Sequence, residues 1–114
     1  METAGRQIEH CESVRTWRKG LIEQWGGDPL AEEPEKLVAL ERFCAFIGED
    51  PDTIVKRCFR IRKEDGERVV SVKWRAHYAE KIKEFRDRSN DPDSRRSTAD
   101  VLSFLIHNGV LLQV

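Results

Sequence analysis

The sequence predicts an all-α fold, a small bundle of five amphipathic helices. Apolar residues recur at steps of three and four in five segments, which is the spacing of one helix face. Capping residues, prolines and glycines mark where most of these segments begin or end. The chain has 114 residues, of which 39% are hydrophobic and 36% charged. These values suit one domain with a modest core and a well-solvated surface.

The first helix is predicted over residues 13–25. Ser13 can cap its N-terminus, and Gly26-Gly27 ends it. The apolar residues of its buried face are Val14, Trp17, Leu21 and Trp25. The stretch that follows is expected to be a linker with the sequence GGDPLAEEP, and residues 1–12, which show no periodicity, are expected to be disordered.

The second helix is predicted from Pro34 to just before Gly48, since proline suits a first turn and glycine a C-terminus. Its inward face consists of Leu37, Leu40, Phe43, Cys44 and Ile47. A sharp turn follows, in which Asp50 before Pro51 is expected to cap a short third helix. The buried face of that helix consists of Ile54, Val55, Cys58 and Phe59.

Residues 59–74 allow two interpretations. Asp65-Gly66 lies between two partly alternating stretches, which is typical of a β hairpin. However, the alternation breaks at Val69-Val70, and a lone two-stranded hairpin has no sheet to join. The favoured interpretation is a helix that ends near Arg62, an exposed loop, and a fourth helix from about Ser71.

The fourth and fifth helices are separated by a polar loop, DRSNDPDSRR. The buried face of the fourth consists of Trp74, Tyr78, Ile82 and Phe85. Ser97 and Asp100 have the spacing of a capping box, which predicts that the fifth helix starts there, and Asn108-Gly109 ends it. The buried face of the fifth consists of Val101, Leu102, Leu105 and Ile106.

The chain ends on apolar residues, Val110, Leu111, Leu112 and Val114. Residues of this kind normally continue into more protein, so a further domain is expected to follow. No apolar run approaches the roughly 18 residues of a membrane span, and the N-terminus lacks the order of a signal peptide. A cytoplasmic protein is therefore expected.

Residue types that carry cofactor or redox chemistry are sparse. Three scattered cysteines, an odd number, indicate reduced thiols rather than a disulfide framework; they are Cys11, Cys44 and Cys58. The histidines show no metal-ligand spacing; they are His10, His77 and His107. No metal and no cofactor are expected.

Groups that could converge for catalysis are also few. The sequence contains no phosphate-binding glycine loop and no G-x-S-x-G elbow. The one tyrosine, Tyr78, falls on an apolar helix face, where core packing is its expected role. The chain is therefore not expected to be a complete enzyme.

Positive charge is concentrated in one stretch of an otherwise nearly neutral chain. The formal net charge is −1, yet residues 55–75 carry eight basic and three acidic side chains, a local charge of +5. Such a concentration is typical of a nucleic-acid-binding surface. The candidate contacts in this stretch are Lys56, Arg57, Arg60, Arg62, Lys63, Lys73 and Arg75.

A second candidate site is the predicted start of the last helix. Free backbone N–H groups, the helix dipole and two arginines would favour a phosphate there. Its residues are Arg95, Arg96, Ser97 and Thr98. Arg57 and Arg60, together with Arg95 and Arg96, are the strongest candidates for backbone contacts.

The order of these features resembles the core-binding domain of tyrosine recombinases, the phage integrase family. The resemblance covers residues 33–112, and its segments are LVALERFCAFIGEDPDTIVKRC, YAEKIKEFRD and STADVLSFLIHNGVLL. The residues that stand where the family pattern has them are Phe43, Phe46, Pro51, Ile54, Ser97, Thr98, Phe104, Asn108 and Gly109. The loop around Asp65-Gly66 is longer than that pattern needs, and the helix at 13–25 precedes the usual start of the domain.

The resemblance implies a SAM-like four-helix bundle over residues 33–114, preceded by a tail, an additional N-terminal helix and a linker over residues 1–32. This domain forms half of a clamp around double-stranded DNA, and the catalytic domain that follows it carries the tyrosine nucleophile, so Tyr78 is not that nucleophile. The implied role is DNA integration or recombination in a prokaryotic cytoplasm, in association with the nucleoid. The helix at 13–25 could pack on the bundle or contact another protomer.

Two other functions fit the residues. One is a helical protein-interaction or regulatory domain that works through the 13–25 helix. The other is a small helix-turn-helix regulator whose last helix reads DNA, although DPDSRRS is a long turn for that motif.

Overall fold

The structure, a computed structural model, describes residues 8–88 and 93–114. These residues form six helices and one two-stranded sheet, so the chain is mostly helical, as predicted, with a hairpin as the exception. In chain order the elements are α1 (Glu12–Trp25), α2 (Pro29–Glu32), α3 (Glu35–Ile47), α4 (Pro51–Arg57), β1 (Phe59–Ile61), β2 (Arg68–Val70), α5 (Val72–Arg88) and α6 (Ser94–His107).

The core is built around α6, which packs against α1, α3 and α5. Aromatic rings fill its centre: Trp17 meets Phe104 edge to face at 5.6 Å, and Phe43 meets Phe85 at 5.4 Å between ring centroids. The largest fully buried side chains are Trp17, Tyr78, Phe43, Phe104, Leu40, Ile54, Ile82 and Leu105. The predicted inward faces of the second and fourth helices are therefore confirmed at their central residues.

The N-terminal helix α1 is an integral part of the bundle. The Trp17 indole Nε1–H donates to Ser103 Oγ at 3.0 Å, and Asn108 Nδ2 donates to the Ser13 carbonyl oxygen at 3.0 Å. Trp25, predicted on the buried face, is instead 72% exposed. Of the two alternatives predicted for this helix, packing on the bundle therefore describes Trp17 but not Trp25.

The N-terminal tail and the predicted linker contain more structure than expected. Ile8 is buried in the core, so the predicted disorder is wrong for residues 8–12, while residues 1–7 lie outside the described part of the chain. The linker contains the short helix α2. Burial of two of its own residues, Pro29 and Leu30, stabilises it.

Two predicted helix ends are confirmed. Asp50 Oδ1 accepts a hydrogen bond from the Thr53 N–H at 2.7 Å at the start of α4, and Gly48 ends α3 at a φ of +72°. Ser13 does not cap α1, which begins one residue earlier. Its N–H and Oγ instead donate to Asp52 Oδ1 at 2.8 and 2.6 Å, so a side chain of α4 holds the start of α1.

A β hairpin occupies the stretch for which a helix and a loop were favoured. The strands β1 and β2 are antiparallel, with Phe59 opposite Val70 and Ile61 opposite Arg68. The predicted helix to Arg62 is therefore wrong, since α4 ends at Arg57. The hairpin needs no larger sheet because its base is anchored in the bundle. Cys58 there is fully buried, and its carbonyl oxygen accepts from the Ser71 N–H at 2.7 Å.

The start of α6 also differs from the prediction. The helix begins at Ser94, and the predicted capping box lies within it, because the Asp100 carboxylate points inward and accepts from Lys36 Nζ at 3.1 Å. Val101 and Leu105 are buried as predicted, but Ile106 is 51% exposed.

Half of the apolar C-terminal residues pack into the bundle. Val110 is fully buried and Leu112 is 9% exposed, whereas Leu111 and Val114 face solvent. The apolar character of this segment is thus partly explained by contacts within the described residues themselves.

The cysteines are free thiols, and Cys44 and Cys58 are buried, as predicted. Burial raises the pKa of the Cys44 thiol to about 12 and that of the Cys58 thiol to about 11, which keeps both protonated. Within residues 8–88 and 93–114, no helix has the length and apolar character needed to cross a membrane.

Candidate nucleic-acid interface

A basic groove lies where α4, the hairpin and the start of α5 meet. We call it the α4–α5 groove; its volume is about 810 Å³. Its lining includes four cationic side chains, Lys56, Arg57, Arg60 and Lys73. None of its lining residues in the described part of the chain is an aspartate or glutamate. A concentration of cationic side chains in one concavity is the electrostatic character of an anion-binding surface.

The hairpin is what brings these cations together. The Cys58 side chain turns into the core after α4. The hydrogen bond from the Ser71 N–H to the Cys58 carbonyl oxygen places the start of α5 beside the end of α4. Ser71 Oγ then accepts from the Trp74 N–H at 3.3 Å in the first turn of α5. As a result Lys73, which follows the hairpin, lines the same groove as Lys56, which precedes it.

Three of the four cations have no carboxylate partner within the described part of the chain. Lys56, Arg60 and Lys73 make no ion pair with any residue in the ranges 8–88 and 93–114. The Lys73 ammonium lies 5.7 Å from the centre of the Trp74 ring, a cation–π contact that leaves its charge available.

Arg57 has a different environment. Its Nη1 lies 2.5 Å from Glu49 Oε2, and its guanidinium carbon lies 5.1 Å from the centre of the Trp74 ring. The other Glu49 oxygen accepts from the Tyr78 hydroxyl at 2.6 Å. Part of the Arg57 charge is therefore neutralised by Glu49 before any ligand binds.

A second groove, which we call the hairpin groove, lies on the other side of the hairpin base and has a volume of about 730 Å³. Arg68 and His107 line it, and so do two acidic residues, Glu12 and Asp52. The Asp52 carboxylate is already occupied by the N-terminus of α1. This groove is therefore less basic than the α4–α5 groove.

Arg68 is a candidate that the sequence reasoning missed. It makes no ion pair with a described residue, and its guanidinium stacks over the Phe59 ring at 3.8 Å. A loop over residues 63–70 gives Arg68 no defined position. The Asp65-Gly66 turn, interpreted as a hairpin, would have placed it opposite Ile61 and near Arg60.

Three predicted contacts from the basic stretch lie outside both grooves. Arg62 forms an ion pair with Asp65 at the hairpin tip, and this guanidinium lowers the pKa of the Asp65 carboxyl. Lys63 is exposed at the same tip. Arg75 lies on a separate face, beside Leu111.

The predicted phosphate site at the last helix is not formed as expected. The Ser97 N–H, expected to be free, donates to the Asp93 carbonyl oxygen at 2.9 Å, because α6 begins three residues earlier. Thr98 is buried, and its Oγ1 has no hydrogen-bond partner among the described residues.

Arg95 and Arg96 are exposed in the first turn of α6. At 1.5 Å per residue, Arg96 lies roughly 16 Å along the helix from His107, which lines the hairpin groove. The structure therefore does not bring these two arginines into either groove.

No group of three or more histidine, cysteine, aspartate or glutamate side chains in the described residues could hold a metal ion. No protein-family model, no curated protein and no solved structure matches this chain. The resemblance to tyrosine recombinases thus rests on the order of sequence features.

Proposed function

We propose that this chain binds double-stranded DNA through the α4–α5 groove. The observation that carries the proposal is the convergence of four cations on one concavity that no carboxylate of the described residues lines. Lysine and arginine side chains bind the phosphate backbone by neutralising its charge and releasing condensed counterions. Three of these cations have no ion-pair partner among the described residues, so their charge is available for phosphates.

The class of DNA-binding protein that we propose is the core-binding domain of a tyrosine recombinase. In this proposal α3 to α6 form the SAM-like bundle, the hairpin is inserted between α4 and α5, and α1 is an additional helix that packs against α6 and contributes Trp17 to the core. The domain holds DNA for integration or recombination carried out by a separate C-terminal catalytic domain, in the nucleoid of a prokaryotic host. The sequence order from Phe43 to Gly109 supports this class.

The affinity of the domain for DNA is expected to be modest and strongly dependent on salt. Each phosphate that is neutralised contributes a slope of about −0.9 to the logarithmic dependence of affinity on salt concentration. Two or three phosphate contacts made by these unpaired cations therefore predict a slope of about −2 to −3 from this groove.

The experiment is a titration of a labelled duplex of arbitrary sequence, followed by fluorescence anisotropy at several salt concentrations. The test variant replaces Lys56, Arg60 and Lys73 with alanine. The control variant replaces three cations on the far part of α5 with alanine; they are Lys81, Lys83 and Arg86, each within an ion pair on its own helix. Both variants lose three positive charges, so total charge is matched.

Binding that weakens in the test variant, with a slope smaller by about two to three, and that stays near wild type in the control supports the proposal. An equal loss in both variants would mean that net charge, not the groove, attracts DNA. Absence of binding at low salt by folded protein contradicts the proposal altogether.

One observation favours a second function, a helical protein-interaction domain. Trp25 is 72% exposed at the end of α1, and its neighbour Ile22 is also exposed. An exposed tryptophan is a frequent anchor of protein interfaces. Self-association that is insensitive to salt and is lost in Trp25→Ala would support this function.

A further inference from the structure

The two grooves share a wall. Lys56, Phe59 and Arg60 line both of them, so these residues form a ridge with one groove on each side. Cations without an ion-pair partner in residues 8–88 and 93–114 lie on both flanks: Lys73 lines the α4–α5 groove and Arg68 lines the hairpin groove. A ridge with positive charge on both sides matches a DNA groove, which has a phosphate backbone along each edge.

The base of the ridge is held firmly. The Phe59 ring is covered on one side by Arg68, and it lies so close to the turn after α6 that a Cβ at Gly109 would be 3.4 Å from its Cζ. Cys58, the preceding residue, is fully buried. The backbone on the N-terminal side of Arg60 is therefore fixed by the core.

Arg60 itself projects away from this base. Side chains alternate along a strand, so Arg60 points to the opposite face of the hairpin from Phe59. It is exposed, and its cross-strand partner Val69 cannot neutralise it. A guanidinium that has no carboxylate partner among the described residues and is mounted on a fixed backbone is suited to directional hydrogen bonding.

We infer that Arg60 enters a DNA groove and reads base edges, while Lys73 and Arg68 contact phosphates of the two opposite strands. This inference rests on the proposed binding of duplex DNA. A two-stranded ribbon fits the major groove, which is about 12 Å wide, and arginine there donates two hydrogen bonds to guanine O6 and N7. Arg60 is thus assigned as a specificity-determining residue, and guanine as the base it recognises.

The test is a selection of binding sites from a pool of random duplexes, carried out with wild type, Arg60→Lys and Lys73→Ala. Lysine keeps the charge of Arg60 but cannot reproduce the two-pronged geometry. Each protein is then titrated by anisotropy against the duplex selected by wild type and against a scrambled duplex. Circular dichroism confirms that each variant is folded.

The expected result is enrichment of guanine at a fixed position by wild type and loss of that enrichment in Arg60→Lys. The affinity of Arg60→Lys falls roughly 5- to 150-fold for the selected duplex and little for the scrambled one. Lys73→Ala keeps the guanine enrichment, but weakens binding to both duplexes equally and lowers the salt slope by about one.

Two results would overturn the inference while leaving DNA binding intact. One is that Arg60→Lys retains the wild-type base preference. The other is that wild type binds all duplexes alike, which would make Arg60 a phosphate contact. If wild type binds no duplex, the proposed function fails as well, and the two failures are thereby distinguished.

Discussion

The hydroxyl of Tyr78 donates a 2.6 Å hydrogen bond to one carboxylate oxygen of Glu49, whose other oxygen pairs with Arg57 at 2.5 Å. Burial raises the pKa of the Tyr78 phenol, and the hydrogen bond to Glu49 raises it further. The phenol is therefore a permanent donor. This chain of contacts ties α5 to α4 through the segment that follows α3, and it ends at a residue of the α4–α5 groove.

The first prediction concerns the Tyr78 hydroxyl. Tyr78→Phe removes the donor and leaves the partly buried Glu49 carboxylate short of a partner. A hydrogen bond to a charged group contributes about 1.5–3 kcal/mol, and the partial exposure of Glu49 reduces that value. We expect the free energy of unfolding in urea to fall by about 1–2 kcal/mol. In an E49Q background the same substitution should cost less, and equal costs in both backgrounds would refute the coupling.

The second prediction separates Arg57 from its neighbours in the groove. Because Glu49 offsets the charge of Arg57, Arg57→Ala should reduce the salt slope of DNA binding by less than Lys73→Ala does. Arg57→Ala should lower the stability of the domain more than Lys73→Ala does, since Arg57 also stacks on Trp74. Anisotropy at several salt concentrations and urea unfolding measure the two effects.

A companion variant, Glu49→Gln, provides the control for Arg57. It removes a carboxylate charge that would oppose the proposed DNA binding, so nonspecific affinity should rise by a few-fold and the salt slope should steepen by up to about one. A decrease in affinity would show that Glu49 mainly orients Arg57 rather than neutralising it.

The third prediction is a pH dependence of stability through Asp52. Partial burial alone would raise the pKa of this carboxyl, but hydrogen bonds from the side chain and N–H of Ser13 and from the N–H of Glu12 outweigh it and lower the pKa. A carboxyl with a lowered folded-state pKa contributes stability above its unfolded pKa of about 3.9, and this contribution is lost as the pH falls through the folded value.

Asp52→Asn should therefore destabilise the domain by about 1 kcal/mol near neutral pH, a modest value because water screens the exposed side chain. The difference from wild type should shrink as the pH falls below about 4. The control is Asp65→Asn. Asp65 pairs with Arg62 at the exposed hairpin tip, so the loss of this pair should change the free energy of unfolding much less. A difference that is constant with pH would contradict the assignment. Urea unfolding from pH 2 to 7 measures it.

The fourth prediction tests whether α1 belongs to the bundle. Trp17 is fully buried and packs edge to face on Phe104, so Trp17→Ala should lower the free energy of unfolding by about 3–5 kcal/mol. Trp25 on the same helix is exposed, and Trp25→Ala should change the free energy of unfolding by less than about 0.5 kcal/mol. Similar small effects of both, measured in urea, would mean that α1 is dispensable for folding.

The sequence predicts the parts of this fold that depend on neighbouring residues. The buried face of α5 through Tyr78 and Ile82 follows from periodicity, and the Asp50 and Gly48 caps follow from local geometry. Lys56 and Arg60 share the α4–α5 groove because they are close in sequence and flank the turn at Cys58.

The parts that were mispredicted depend on contacts between distant residues. The hairpin is stabilised at its base because Phe59 packs against the turn at Gly109, and no local pattern reveals that contact. Similarly, Asp100 leaves the expected capping role because Lys36, 64 residues earlier, pairs with it. Arg68 is absent from the predicted contacts because residues 59–74 were interpreted as a helix and a loop. Only the hairpin places Arg68 opposite Ile61.

The fifth prediction concerns the crossing of α1 and α6 at Gly20. A Cβ built on Gly20 would lie 2.2 Å from His107 Cδ2, well inside contact distance. In an open helix, glycine to alanine stabilises by up to about 1 kcal/mol. Here the overlap would displace His107, which donates its Nδ1–H to the Ser103 carbonyl oxygen at 2.9 Å. Because overpacking costs about 1–3 kcal/mol, Gly20→Ala should be destabilising overall.

The sign of this effect should reverse when the histidine ring is removed. In a His107→Ala background, Gly20→Ala meets no ring, so the helix propensity of alanine should dominate and the substitution should stabilise the domain. Thermal and urea unfolding of the four proteins in this cycle measure both signs. If Gly20→Ala stabilises the protein in both backgrounds, then α1 and α6 do not cross as closely as the structure places them, and the hairpin groove, which His107 lines, would have a different wall.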